Sequence, residues 1–188
     1  MAQPVTFVLS RGDRTFHWSE QTVIVISASL FFALCARVTL PLPFTPVPLT
    51  LQNSGVLLVG LTLGLSGFAA LALYLAEGVA GMPVFNPTGP GGVAQLLGAS
   101  GGFLLAYPAG LAGWIMECGR TTFARAAAAG VLAEVVLVGG LSWLAVLTHS
   151  VAEAARFGLY WFLFAEVIKV MLAAGVSTGW QRVRKEQA

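Results

Sequence analysis

Apolar positions follow one another along most of this chain, and the places where they stop mark the elements. Residues 21–40 are apolar apart from Gln21, a few small hydroxyl side chains and Arg37, which predicts a first helix. The stretch PLPFTPVPLT (41–50) ends it with four prolines, since proline has no N–H for a helix interior and its ring clashes with the turn before it. Residues 51–80 are almost wholly apolar again. As one helix they would run roughly 45 Å at about 1.5 Å per residue, longer than a hydrocarbon core of about 30 Å. Gly60, Gly64 and Gly67 lie in the middle, so the stretch is read as helix 2 (50–63) and helix 3 (66–80). GMPVFNPTGPGG (81–92) reads as a loop that GVAQLLGASGG continues, with room for one short helical turn. Helices 4, 5 and 6 follow at 102–118, 123–147 and 157–182, with tails at 1–20 and 183–188.

Composition turns these helices into membrane helices. The chain is 57% hydrophobic and only 10% charged, against about 25% charged in an ordinary soluble domain. A water-facing surface cannot be built from so few charges, so the expected class is all-α, one membrane domain over 21–182. A transmembrane barrel would show short alternating strands in place of these unbroken runs. A net charge of +2 without a basic, aromatic-interleaved patch excludes a nucleic-acid partner. Cys35 and Cys118 are far apart and form neither a disulfide framework nor a metal-ligand spacing, so no metal or cofactor is expected. Arg11 and Arg14 ahead of the apolar run at 23–36 superficially resemble a signal peptide; because the remainder is just as apolar, the run is read as a retained helix.

Charge then orients the bundle. Cytoplasmic loops are rich in Lys and Arg. With six helices and the N-terminus inside, Arg11, Arg14, Arg120, Arg125, Arg182, Arg184 and Lys185 fall on the inner side and only Arg156 on the outer, while Arg37 and Lys169 lie within helices. Five helices would reverse the bias. Six spans with both termini cytoplasmic is the expected topology, and it puts loops 41–50 and 81–101 on the outer face.

Glu166 and Lys169 stand out against this background. Three residues apart, they share one face of helix 6. They lie roughly 12–17 Å below its outer end, where a charge facing lipid costs about 2.5–3.5 kcal/mol or more. They should face the bundle interior, either satisfying each other or holding something polar. Gln52, Asn53 and Asn86 flank the outer loops, and an apolar cavity with a few placed polar groups is what a small-molecule site requires.

The stretches TPVPLTLQNSGVLLVGLTLG (45–64), LYLAEGVAGMPVF (73–85), LLGASGGFLLAYPAG (96–110) and AEVIKVMLAAG (165–175) resemble the BioY family in order and spacing. These are the biotin-specific substrate-binding (S) components of energy-coupling-factor (ECF) transporters. The resemblance implies a biotin-binding subunit in a prokaryotic cell membrane, no catalysis of its own, and partnership with a transmembrane T component and two ABC-type ATPases. It places Glu166 and Lys169 at the family's helix-6 acid and lysine, the acid more often being Asp, and Asn86 at a loop position that reaches the ligand. Biotin's ureido ring has two N–H donors and one carbonyl, which suits Glu166, Lys169 and Asn86. Phe85, Tyr74, Phe103 and Tyr107 are candidate walls for its thioether ring, each also readable as packing. Arg37 either meets the carboxylate tail or snorkels to the headgroups. The family docks its T component on a small-residue face of helix 1, which implies Ala28, Ser29, Ala33 and Ala36 here; packing within the bundle is the other reading.

An S component for another small vitamin is a neighbouring alternative. A more distant one is a rhomboid-like intramembrane serine protease, because GASGG (98–102) matches G-x-S-x-G around Ser100. A nucleophilic serine needs a base within reach. His17 lies in the tail and His149 at the outer end of helix 5, so the helix that would carry such a base has none.

Overall fold

The computed structural model describes residues 18–63, 65–107 and 122–186. Expectations for the first 17 residues, for Cys118 and Arg120 and for the second half of helix 4 lie outside that set. Helix α1, Trp18–Arg37, carries Glu20 in its first turn and Arg37 in its last, matching the helix dipole at both ends. It begins and ends three residues earlier than the expected 21–40, because residues after Arg37 are drawn into extended pairing. Strand β1 (Thr39–Leu40) pairs antiparallel with β2 (Leu49–Thr50), Thr39 opposite Thr50 and Leu40 opposite Leu49. This short ladder closes the proline-rich segment into a loop, whose Thr45 hydroxyl donates to the Phe157 carbonyl at 2.7 Å.

Helices α2 (Gln52–Leu63) and α3 (Leu65–Val79) divide where the glycines predicted. Gln52 Nε2 lies 2.7 Å from the Tyr74 hydroxyl. In one continuous helix residues so far apart in sequence would be roughly 33 Å apart by the helical rise, so the chain folds back on itself. Gly81, at φ 89°, ends α3 in a left-handed cap. The Met82 N–H donates to the Glu77 carbonyl and the Gly81 N–H to that of Gly78, the paired bonds of a Schellman motif.

The second loop holds the short helix α4 (Gly92–Leu97), and α5 (Gly101–Ala106) is the described start of the expected helix 4. Helix α6 runs Thr122–Thr148 and stops at His149, whose φ is 53°. Ser150 then caps α7 (Val151–Ala154) by accepting from the Glu153 N–H, and a wide turn at Ala155–Leu159 leads into α8, Tyr160–Glu186. Close approach of α5 to α6 depends on glycine: a Cβ on Gly102 would stand 2.6 Å from the Gly139 carbonyl oxygen, and one on Gly140 2.2 Å from the Phe103 ring.

The interior is apolar, with Phe32, Leu57, Leu71, Tyr74, Leu104 and Leu144 among its most deeply buried side chains. The exterior is apolar too: Ile26, Leu30 and Leu34 on α1 and Leu163, Val167, Met171 and Leu172 on α8 all face outward. Among the described residues, α1 is the one helix both long and apolar enough to cross a membrane by length and composition; Ser66–Val79 and Glu134–Thr148 are shorter apolar helices.

Candidate functional site

The first turn of α2, the start of α5 and the middle of α8 converge beneath loops 41–50 and 81–101 around a partly open pocket whose space, open solvent included, is about 370 Å³. Its polar lining includes Thr50 from β2, Gln52 and Asn53 from α2, Asn86 and Ser100 from the second loop, Tyr107 at the end of α5 and Lys169 from α8. Its apolar wall includes Phe103 and Phe162, whose rings stack with centroids 5.8 Å apart and planes 25° apart. The first loop contributes Val47 and Pro48 as a roof.

Lys169 Nζ sits 2.9 Å from Glu166 Oε1, and both residues are under a tenth exposed, at 7% and 5%. The same carboxylate oxygen accepts from Asn53 Nδ2 at 2.8 Å, and Asn53 Oδ1 accepts from the Tyr107 hydroxyl at 2.6 Å. A chain of hydrogen bonds therefore runs from α5 through α2 to α8. Both donors meet one oxygen, and Glu166 Oε2 is buried without a hydrogen-bond partner among the described residues. Glu166 also borders a narrow crevice, too tight for a water molecule, with Asn53, Tyr107, Val56 and Val136. A buried carboxylate oxygen without a donor is an unfinished acceptor, and such a group gains from any donor brought to it.

A model of the BioY family matches residues 9–186. This chain belongs to the BioY family. It is 30% identical to the biotin transporter BioY of Thermotoga maritima over 87% of this chain and 98% of that one. It is 34% identical to the biotin transporter BioY2 of Lactococcus lactis subsp. cremoris, over 80% and 84%. With the probable biotin transporter BioY of Pyrococcus horikoshii the figures are 35% over 68% and 76%. In fold it resembles the crystal structure of the S-component for biotin from an ECF-type ABC transporter, with a TM-score of 0.77 over 89% of this chain and 92% of that one, at 24% identity.

Within this BioY-family bundle the residues singled out from sequence separate into layers. Gln52, Asn53, Asn86, Phe103, Tyr107 and Lys169 line the cavity, and Glu166 stands directly behind Lys169. Tyr74 and Phe85 do not line it. Tyr74 is fully buried, and the Phe85 ring packs edge-on to it at 5.4 Å, seated over Gly78, where an added Cβ would meet the ring at 2.0 Å. Expected as walls, they form a layer behind the wall, because the left-handed turn at Gly81 folds the second loop back onto α3. Arg37 is likewise absent from the cavity; its guanidinium donates to the Pro83 carbonyl and ties the end of α1 to the second loop.

The small residues of α1 require a correction. Ala28, Ser29 and Ala36 are buried and Ala33 is half-buried, so this strip packs inside the bundle, where α1 meets α3, and is not an outer docking face. Ser29 Oγ donates to Glu77 Oε2 at 2.6 Å across that seam. Small side chains are there because they let two backbones come close. The outward face of α1 is instead built from large apolar residues.

Phe162 was missed in the sequence, although it precedes Glu166 by one helical turn and so shares its face. Gln95 was missed as well. Buried in α4, it accepts the Gly91 N–H with Oε1 at 3.1 Å and so holds the loop's shape. Ser100 does line the cavity, but no histidine lines it among the described residues, and His149 is exposed at the end of α6.

Proposed function

We propose that this chain is the biotin-binding S component of an ECF-type uptake transporter, which takes biotin from the outer face of a prokaryotic cell membrane. The observation that carries this reading is the buried Glu166–Lys169 pair, cross-linked to Asn53 beside a half-apolar cavity and keeping one carboxylate oxygen unfilled. A cyclic urea supplies N–H donors for that oxygen and a carbonyl for cationic or amide N–H groups. Lys169 has further N–H groups to give. Asn86 Oδ1 already accepts from the Thr88 N–H and hydroxyl, which leaves its Nδ2 as a donor. The stacked Phe103 and Phe162 rings offer an apolar surface to the thioether ring.

In this reading the bundle crosses the membrane six times with both termini in the cytoplasm. The lysine and arginine distribution supports it, and so does the apolar exterior of α1 and α8. Loops 41–50 and 81–101 then cover the cavity from outside, and release follows docking to a T component driven by two ATPases. The chain holds and hands over its ligand without altering it. Calorimetric titration of the purified, detergent-solubilised chain tests the proposal: biotin should bind, with thiamine and riboflavin as controls that should not. Unchanged biotin affinity in both Glu166→Gln and Lys169→Ala would remove the site, and a chain that preferred thiamine or riboflavin would belong to a different vitamin.

A further inference from the structure

Gln52 and Asn53 are neighbouring amides on one wall of the cavity, and each is held by a tyrosine from a different element. The Tyr74 hydroxyl lies 3.2 Å from the Val84 carbonyl, an acceptor only, so its one proton points there. It can then only accept from Gln52, and the nearer amide atom at 2.7 Å must be Nε2. The carbonyl oxygen of Gln52 accepts no hydrogen bond from the described residues, and Gln52 lines the cavity. For Asn53 the order is set from the other end. Glu166 Oε1 only accepts, so Asn53 must present Nδ2 to it, and its Oδ1 is left to receive the Tyr107 hydroxyl.

From this geometry we infer that Tyr74 is a positioning residue. Through the Val84 carbonyl and Gln52 Nε2 it fixes the Gln52 amide with its oxygen as the group left for a ligand. The α2 wall of the cavity thereby selects a ligand that brings an N–H donor. Val84 belongs to the second outer loop and is buried, so the polarity of this wall depends on that loop being seated. With Val84 withdrawn, the tyrosine proton is free to turn to the amide oxygen, and Gln52 can flip to offer N–H instead. The inference rests on the reading of the cavity as a biotin site. It adds to it that specificity for the ureido edge is set by a side chain that does not touch the cavity.

The test compares biotin with two analogues, each methylated at one ureido nitrogen, by calorimetry on the full purified chain. In the unaltered chain both analogues should bind more weakly than biotin, one because its methyl group meets Glu166 Oε2 and the other, the blocked analogue, because its methyl group meets the Gln52 oxygen. Tyr74→Phe removes both hydrogen bonds of the lock. Biotin should weaken by roughly three- to tenfold, the worth of one neutral hydrogen bond, and the ratio between the blocked analogue and biotin should fall toward one. Gln52→Leu should collapse the same ratio, and adding Tyr74→Phe to it should change nothing more. If Tyr74→Phe does not fold, Tyr74→Met, apolar and without a hydroxyl, takes its place with the same expected fall in the ratio. Loss of biotin and both analogues by one common factor in the variants would make Tyr74 a packing residue only and overturn the inference alone. Failure of the unaltered chain to bind biotin would overturn the function reading and take this inference with it.

Discussion

Two seams inside this bundle each contain a glutamate, and they differ in what the protein leaves undone. Where α1 meets α3, Glu77 receives the Ser29 hydroxyl, Arg37 reaches the Pro83 carbonyl, and small residues fill the remainder. Where α2 meets α8, Glu166 receives Lys169 and Asn53 on one oxygen and, among the described residues, nothing on the other, with a cavity alongside. Burial of a polar group does not separate the two cases, since Ser29 is as deeply buried as any residue of the site. The distinction lies in hydrogen-bonding capacity that outlasts the available partners. The half-buried Glu77 is left with no buried oxygen lacking a partner, whereas Glu166 is, among the described residues.

Substitutions should separate the seams, beginning with the largest effect. Lys169→Ala strands a buried carboxylate, so thermal unfolding in detergent should show a loss of roughly 3–5 kcal/mol, with little biotin binding left. Combining Glu166→Gln with Lys169→Met should restore most of that stability and none of the affinity; recovery of binding in the double variant would mean the pair is structural, like the α1–α3 seam. Next, Ser29→Leu or Ala36→Leu forces bulk between α1 and α3 and should cost about 1–3 kcal/mol, while biotin affinity in the folded fraction stays unchanged. An affinity loss there would show that the seams are coupled. Tyr107→Phe removes the bond that orients Asn53 and should weaken biotin by roughly three- to tenfold in calorimetry, with stability falling by about 0.5–1.5 kcal/mol. Ser100→Ala should leave biotin binding within about twofold, as expected for a lining hydroxyl outside the Glu166 network. Disappearance of a proteolytic activity in that variant would instead favour the serine-protease alternative.

Much of the fold could be read along the chain because its punctuation is chemical. The prolines of 41–50 mark the loop that follows α1, the glycines near 64 mark the division of α2 from α3, and Gly81 supplies the left-handed cap after α3. The wide turn at Ala155–Leu159 and the two-residue ladder at Thr39–Leu40 had no such marker, and neither was expected. In the site, Glu166 and Lys169 were legible from spacing and cost alone. Gln52, Asn53 and Asn86 were legible because polar side chains beside apolar helices need a reason. The roles of Tyr74 and Phe85 were not, since an aromatic wall and an aromatic layer behind it have the same composition.

What the sequence determined by itself was a set of apolar helices, their breaks, and one charged face that must turn inward. Tertiary structure alone decided which way the uncharged faces turn: that Ala28, Ser29 and Ala36 are buried, that Phe162 stacks on Phe103, and that Tyr74 holds Gln52 from behind. The reason is physical. A helix made for water announces its inner face by being apolar there and polar elsewhere. A helix apolar all round carries no such mark, so close packing and the few hydrogen bonds between helices choose its orientation.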